Sequence, residues 1–204
     1  LWHFPLPEHY LRRNPHVALP NSRVPVAAGP DSNQVFPISH TLRRFNDPDH
    51  VNRVTSACGL GLYRDDLLGE GFYQNAFICE PVHNLVHRLV LSQHGVTFAA
   101  RRAPDEQESE FLAAKDNWFR PVQVRTGPDG ALWVVDMYRF VVEHPRWITP
   151  DRLKELDLRA GDDKGRIYRV YPREKRPRAI QDLTKLSTRE LVGAAFLVPP
   201  EARQ

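Results

Sequence analysis

Near the middle of the chain, Thr126–Gly127–Pro128–Asp129–Gly130 separates two short β-favouring runs, an arrangement that admits little besides a hairpin. Before it, Val122 and Val124 alternate with polar residues. After it, Ala131–Leu132–Trp133–Val134–Val135 runs apolar up to Asp136. Pro128 fixes φ as the chain enters the turn. Asp129 and Gly130 are residue types that tolerate the positive φ such a turn requires. The second strand is expected to run into Asp136–Met137–Tyr138–Arg139, so a carboxylate, a phenol and a guanidinium leave one end of the sheet together.

Much of the chain reads as variations on this unit. The 204 residues include 18 prolines and 11 glycines, a balance that favours turns and short elements over long helices. A 41% hydrophobic content is enough to fill a sizeable core. The net charge of +3 comes from interspersed acids and bases, so nucleic acid is not an expected partner. No apolar stretch approaches the roughly 20 residues that span a bilayer. The chain opens on Leu1 and its only methionine is Met137, so it is expected to be a processed product or a fragment.

Residues 1–53 are expected to be loop-rich, because prolines from Pro5 to Pro37 interrupt every helical period. Val24–Ala28 and Val35–Ile38 are strand candidates there. From Val54 to Arg101 the pattern predicts four strands, Thr55–Tyr63, Asn75–Glu80, Leu85–Leu91 and Val96–Ala100. Four short antiparallel strands at this spacing match one β-propeller blade of about 40–45 residues. Asp105–Ala114 is acidic and is predicted to hold a short surface helix. A second blade takes Pro121–Arg125, Ala131–Asp136 and, after an insertion, Gly165–Tyr171. Within the insertion, Thr149 before Pro150 marks a helix start with Leu153 and Leu156 on its apolar face. Residues 173–186 read as a linker, and Ser187–Thr188–Arg189–Glu190 matches a capping box opening an apolar helix to Val198.

The two cysteines fall into this scheme. If the first two predicted strands pair about a turn near Leu68–Gly69, Cys58 faces Cys79. Cross-strand Cα separations reach the short end of the disulfide range. A disulfide in an oxidising compartment and two buried free thiols both remain open.

Two long stretches, TSACGLGLYRDDLLGEGFYQNAFICEPVHNLVHR (Thr55–Arg88) and WFRPVQVRTGPDGALWVVDMYRFVVEHPRWI (Trp118–Ile148), carry a resemblance. They resemble the propeller module of the membrane-bound dehydrogenases of planctomycetes and related bacteria, large haem-binding proteins. Gly161–Pro172 fits the same module. More distantly the chain is similar to soluble quinoprotein glucose/sorbosone dehydrogenases, six-bladed propellers that hold pyrroloquinoline quinone in a central channel. The resemblance implies an all-β fold: the C-terminal part of a six-bladed β-propeller over residues 1–172, about three to four blades. Residues 187–204 would begin an α-helical, HEAT-like repeat domain. It also implies oxidation of a sugar or other alcohol, with electrons passing to a c-type cytochrome domain, in a periplasmic, secreted or membrane-associated protein. The chain has no C-x-x-C-H, so haem c belongs only to a domain outside it.

A sugar-oxidising quinoprotein needs a base for the hydroxyl proton and cations for the quinone carboxylates, with Ca²⁺ as a further candidate cofactor. His83, in the connection Glu80–Pro81–Val82–His83–Asn84, is the candidate base. Arg120 and Arg139 are candidate carboxylate clamps, and Asn84, Asp136 and Tyr138 candidate lining residues at strand ends. Each has a plainer role available: His83 as a structural loop histidine, Arg120 as a donor to carbonyls between blades, Asp136 as a cap beneath Tyr138. His83 and His87 are four residues apart, a zinc spacing only on a helix, which Pro81 disfavours. The rival function is a non-catalytic propeller that binds carbohydrate or a protein partner.

Overall fold

The computed structural model describes residues 3–5, 8–14, 16, 23–27, 32–39, 52–95 and 97–196. Over these residues the fold is all-β, with few and short helices. Two strands, β1 (His3–Pro5) and β2 (Arg23–Pro25), form an antiparallel ribbon, and α1 (Glu8–Leu11) lies between them in sequence. Then follows the meander β3 (Cys58–Leu62), β4 (Ala76–Glu80), β5 (Leu85–His94) and β6 (Thr97–Arg102), paired in chain order, with β7 (Leu112–Ala113) added against β5. A second sheet has the order β10–β9–β8, from β8 (Pro121–Thr126), β9 (Leu132–Asp136) and β10 (Arg166–Val170). Short helices α2 (Pro150–Leu153) and α3 (Thr188–Phe196) complete the described chain.

The central hairpin forms as its turn residues demand. Thr126 pairs with Leu132, and Gly127 N–H donates to Ala131 O at 2.8 Å. Gly130 takes φ +86°, where a side chain is strained. Asp129 is not left-handed, contrary to expectation, because its buried side chain is what organises the turn. Its Oδ1 accepts from Ala131 N–H at 3.2 Å and Trp133 Nε1–H at 2.9 Å, and its Oδ2 forms an ion pair with Arg169 of β10 at 2.5 Å. Along β9, Leu132, Val134 and Asp136 are buried while Trp133 and Val135 are half-buried, the alternation of a strand with one inner face.

The two larger sheets curl around one core. Tyr63, Phe77, Cys79 and Val86 from the first sheet meet Phe119, Val124, Leu132 and Val134 from the second. β3 runs so close to β8 that a Cβ on Gly61 would sit 2.5 Å from Val124 O. Arg125 Nη1 donates to Leu60 O at 2.7 Å and Thr126 Oγ1 to Leu62 O at 3.3 Å, joining edges that have no continuous ladder between them.

Several sequence expectations shift. Thr55 and Ser56 lie before β3 rather than in it, because their N–H groups donate to the Glu80 carboxylate instead of a strand. The predicted helix Asp105–Ala114 is replaced by a single 3-10 turn, Pro104–Glu106, followed by β7. The acids that looked solvated are drawn inward: Glu110 Oε2 lies 2.7 Å from His87 Nδ1, and Glu110 Oε1 lies 3.1 Å from Arg102 Nη2. Val35–Ile38 is not a strand, and contributes only the bridge Gln34–Arg53 beside it. Helix α2 stops before Leu156, and Thr149 makes no side-chain capping bond. The Ser187 capping box does form, with Ser187 N–H donating to Glu190 Oε2 at 2.8 Å and Glu190 N–H to Ser187 Oγ at 3.4 Å. The segment read as a linker reaches back onto the sheets: Arg178 N–H donates to Asp129 O at 2.9 Å, and its guanidinium pairs with Asp65 at 2.5 Å. Val96, Val198 and residues 28 and 40–50 lie outside the described residues.

Candidate functional site

The turn between β4 and β5 carries the candidate base. Asn84 closes it in the left-handed region at φ +57°, which asparagine tolerates better than most residues. Its side-chain amide nitrogen is engaged: Nδ2 donates to Asn117 O at 3.1 Å and Phe119 O at 2.6 Å. The turn is thereby pinned to the segment leading into β8. His83 is buried at 1% exposure, with Nδ1 3.4 Å from Glu80 Oε1. Its Nε2 is buried and has no hydrogen-bond partner among the described residues. Glu80, fully buried, accepts from Ser56 N–H at 2.9 Å and Thr55 N–H at 3.1 Å. Its Oε1, the oxygen that faces the imidazole, also accepts from Ser56 N–H at 3.2 Å and from Thr55 Oγ1 at 3.4 Å.

Arg120 ties this turn to the end of β9. Its Nη1 donates to Pro81 O at 2.8 Å, its Nε to Arg139 O at 2.8 Å and its Nη2 to Phe140 O at 2.7 Å, with Val82 O at 3.5 Å from Nη1. The planar five-donor fork suits such a cluster of carbonyls. Asp136 Oδ1 accepts from Arg120 N–H at 2.7 Å and Tyr138 N–H at 2.8 Å, which makes the carboxylate the cap of the bend after β9. Its buried Oδ2 has no hydrogen-bond partner among the described residues and lies 3.9 Å from Arg166 Nε. Burial pushes the Asp136 carboxyl above its ordinary range, although the two N–H donors work the other way.

Tyr138, at φ +52°, is a bulky residue in a strained backbone region. It is held there by its hydroxyl, which donates to Asp116 Oδ2 at 3.0 Å, and by Arg166, whose guanidinium lies 3.7 Å from the ring centroid. The hydrogen bond to Asp116 raises the Tyr138 phenol. Arg139 is half-buried and donates from Nη1 to Arg159 O at 2.9 Å. His83, Asn84, Arg120, Asp136, Tyr138 and Arg139 are therefore brought to one end of the two sheets. Their polar atoms mostly hold the scaffold; His83 Nε2 and Asp136 Oδ2 are the exceptions.

Sequence reasoning did not nominate Glu80, Asp116 or Arg166. The Glu80–x–x–His83 spacing across a turn was the available signal for the first. The other two depend on contacts 22 and more residues away. His87 faces Glu110, not His83, and among the described residues no group of three or more His, Cys, Asp or Glu side chains could hold a metal ion. The five-stranded sheet also carries an apolar groove of about 650 Å³ on the face away from the shared core, lined by Leu60, Leu62, Ile78, Leu89, Leu91 and Phe98. No helix among the described residues is long and apolar enough to cross a membrane.

No curated protein and no solved structure matches the chain. One family model does, the Domain of unknown function (DUF7133), over residues 1–174. That span takes in both sheets, the β4–β5 turn and the Arg120–Asp136 junction, so the chain belongs to the DUF7133 family.

Proposed function

We propose that this chain is part of a β-propeller from a dehydrogenase-type protein acting on a sugar or other alcohol, with His83 as the base for the substrate hydroxyl. The carrying observation is the Glu80–His83 pair: Nδ1 lies 3.4 Å from a buried carboxylate oxygen, while Nε2 has no partner among the described residues. With the proton on Nδ1, facing the carboxylate, Nε2 would be the nitrogen that accepts from a substrate hydroxyl. The propeller reading is supported by two stacked antiparallel sheets of short strands, and by a further apolar face on the first sheet suited to another sheet.

The resemblance implies pyrroloquinoline quinone as hydride acceptor, and this half-site fits it poorly. Arg120 has its donors on carbonyls and offers none to a quinone carboxylate, and Asn84 is likewise occupied. The part that this chain's own residues can play is proton removal and positioning. A c-type cytochrome domain would be the electron-accepting partner, which fits a periplasmic or secreted protein. The same commitment of Arg120, Asn84 and Asp136 to the scaffold favours a second reading, a non-catalytic propeller that binds carbohydrate or a protein.

The test is oxidation of a panel of aldoses and alcohols by the protein supplied with pyrroloquinoline quinone and Ca²⁺, the quinone taking the hydride and an artificial dye reoxidising it, comparing wild type with His83→Gln. Turnover that falls at least about 100-fold in kcat in the variant, with KM little changed, supports the base role. Turnover unaffected by the substitution removes His83 from the chemistry. Absence of turnover with every substrate leaves the binding reading.

A further inference from the structure

We propose that Cys58 and Cys79 are a modification site, a pair of thiols that closes reversibly into a cross-strand disulfide between β3 and β4. The two residues are direct Cα partners in the antiparallel ladder, and both are free thiols in this structure. Such partners lie about 4.5–5.5 Å apart, within the roughly 4.4–6.8 Å that a disulfide accepts. Cys79 is fully buried in the shared core and Cys58 packs against that same core while only half-buried, which puts both side chains on one face of the sheet and leaves Cys58 the more accessible thiol. The Cys58 Sγ lies 4.0 Å from Pro121 O, a weak contact that closure would give up. The local backbone has the slack for closure. The ladder loses register between Cys58 and Gly61, and Gly59 is left-handed at φ +59°.

The chemistry balances with a small-molecule disulfide such as oxidised glutathione as oxidant. The Cys58 thiolate attacks one sulfur of the reagent, its S–S bond breaks, and one glutathione leaves as a thiolate. The Cys79 thiolate then attacks the Cys58 sulfur of the mixed disulfide and releases the second glutathione. The two protein thiols give up two electrons and two protons, and the reagent is reduced to two thiols. Burial pushes the Cys79 thiol up to about 12 and also raises Cys58, where the Glu80 charge adds to the effect. Closure is therefore slow at neutral pH and accelerates as pH rises.

The position gives the link a consequence. Cys79 precedes Glu80, and Thr55 and Ser56, which hold the Glu80 carboxylate, lie just before Cys58. A bond between the cysteines fastens the strand that carries these donors to the strand that carries the acceptor.

The experiment incubates the 204-residue protein with oxidised glutathione. It is run at about pH 8.5, where a larger share of thiol is ionised, and the product is read by intact mass and non-reducing peptide mapping. The expected product has lost two hydrogens, shows a Cys58–Cys79 linked peptide, titrates for no free thiol in denaturant, and reverts with dithiothreitol. Cys79→Ala is expected to stop at a stable glutathione adduct on Cys58, and Cys58→Ser to leave Cys79 unmodified in the native state. The proposal is overturned by a lasting Cys58 adduct beside a free Cys79 in the wild type, by an intermolecular dimer, or by two thiols that react only after denaturation.

Discussion

Two buried turns of this molecule are each built around a carboxylate, and they differ in how completely that carboxylate's surroundings are satisfied. In the β8–β9 turn, Asp129 has two N–H donors on Oδ1; its Oδ2 has no directed hydrogen bond but is charge-compensated by Arg169 at 2.5 Å, and its main-chain oxygen receives Arg178 N–H. In the β4–β5 turn, Glu80 is equally well held, but its imidazole partner His83 keeps one nitrogen buried and unpartnered. A buried polar atom without a partner costs free energy, and a turn needing only rigidity would gain from an apolar side chain there. The turn whose charge is compensated reads as structure. The incomplete one is where a protein retains a group for use.

That contrast can be broken most directly at Asp129. Asp129→Ala leaves the Ala131 and Trp133 N–H donors without their acceptor, while the half-exposed Arg169 can turn to water, and is expected to cost about 2–4 kcal/mol. Urea unfolding measures it; a loss below about 1 kcal/mol would mean that the turn does not depend on its carboxylate.

Glu106 sharpens the comparison because it is intermediate. Its Oε1 lies 3.0 Å from Arg88 Nε, while its buried Oε2 has no hydrogen-bond partner among the described residues. Burial pushes its pKa from the ordinary 4.5 up to about 7, against the pull of Arg88. Because the folded value lies above the unfolded one, the contribution of Glu106 to stability is complete below about 4.5 and is lost as pH rises through about 7. Wild type minus Glu106→Gln, followed by urea unfolding at both ends of this window, should change by on the order of 2 kcal/mol in that direction. An unchanged difference would show that Arg88 fully compensates the buried charge.

The smallest effect is expected at His83. If its unpartnered nitrogen serves chemistry and not the scaffold, His83→Gln should change stability by less than about 1 kcal/mol. A loss approaching that of Asp129→Ala, in the same unfolding assay, would make both turns structural and remove the contrast.

What could be read from residues alone was local. The Gly127–Gly130 turn, the meander from β3 to β6, the facing of Cys58 and Cys79, and the Ser187 capping box each depend on residues that are neighbours in sequence or reflected across one turn. Propensity and period specify such features directly. Only the tertiary structure decided that Arg120 is held by Pro81, Arg139 and Phe140 carbonyls, that Asp129 gathers Arg169 and Arg178, and that the acids near Glu106 and Glu110 turn inward to Arg88, His87 and Arg102. Those pairings form between segments whose approach is set by sheet stacking. A charged side chain carries no mark, in its own neighbourhood, of whether a carbonyl, a counter-ion or water will meet it once the sheets have closed.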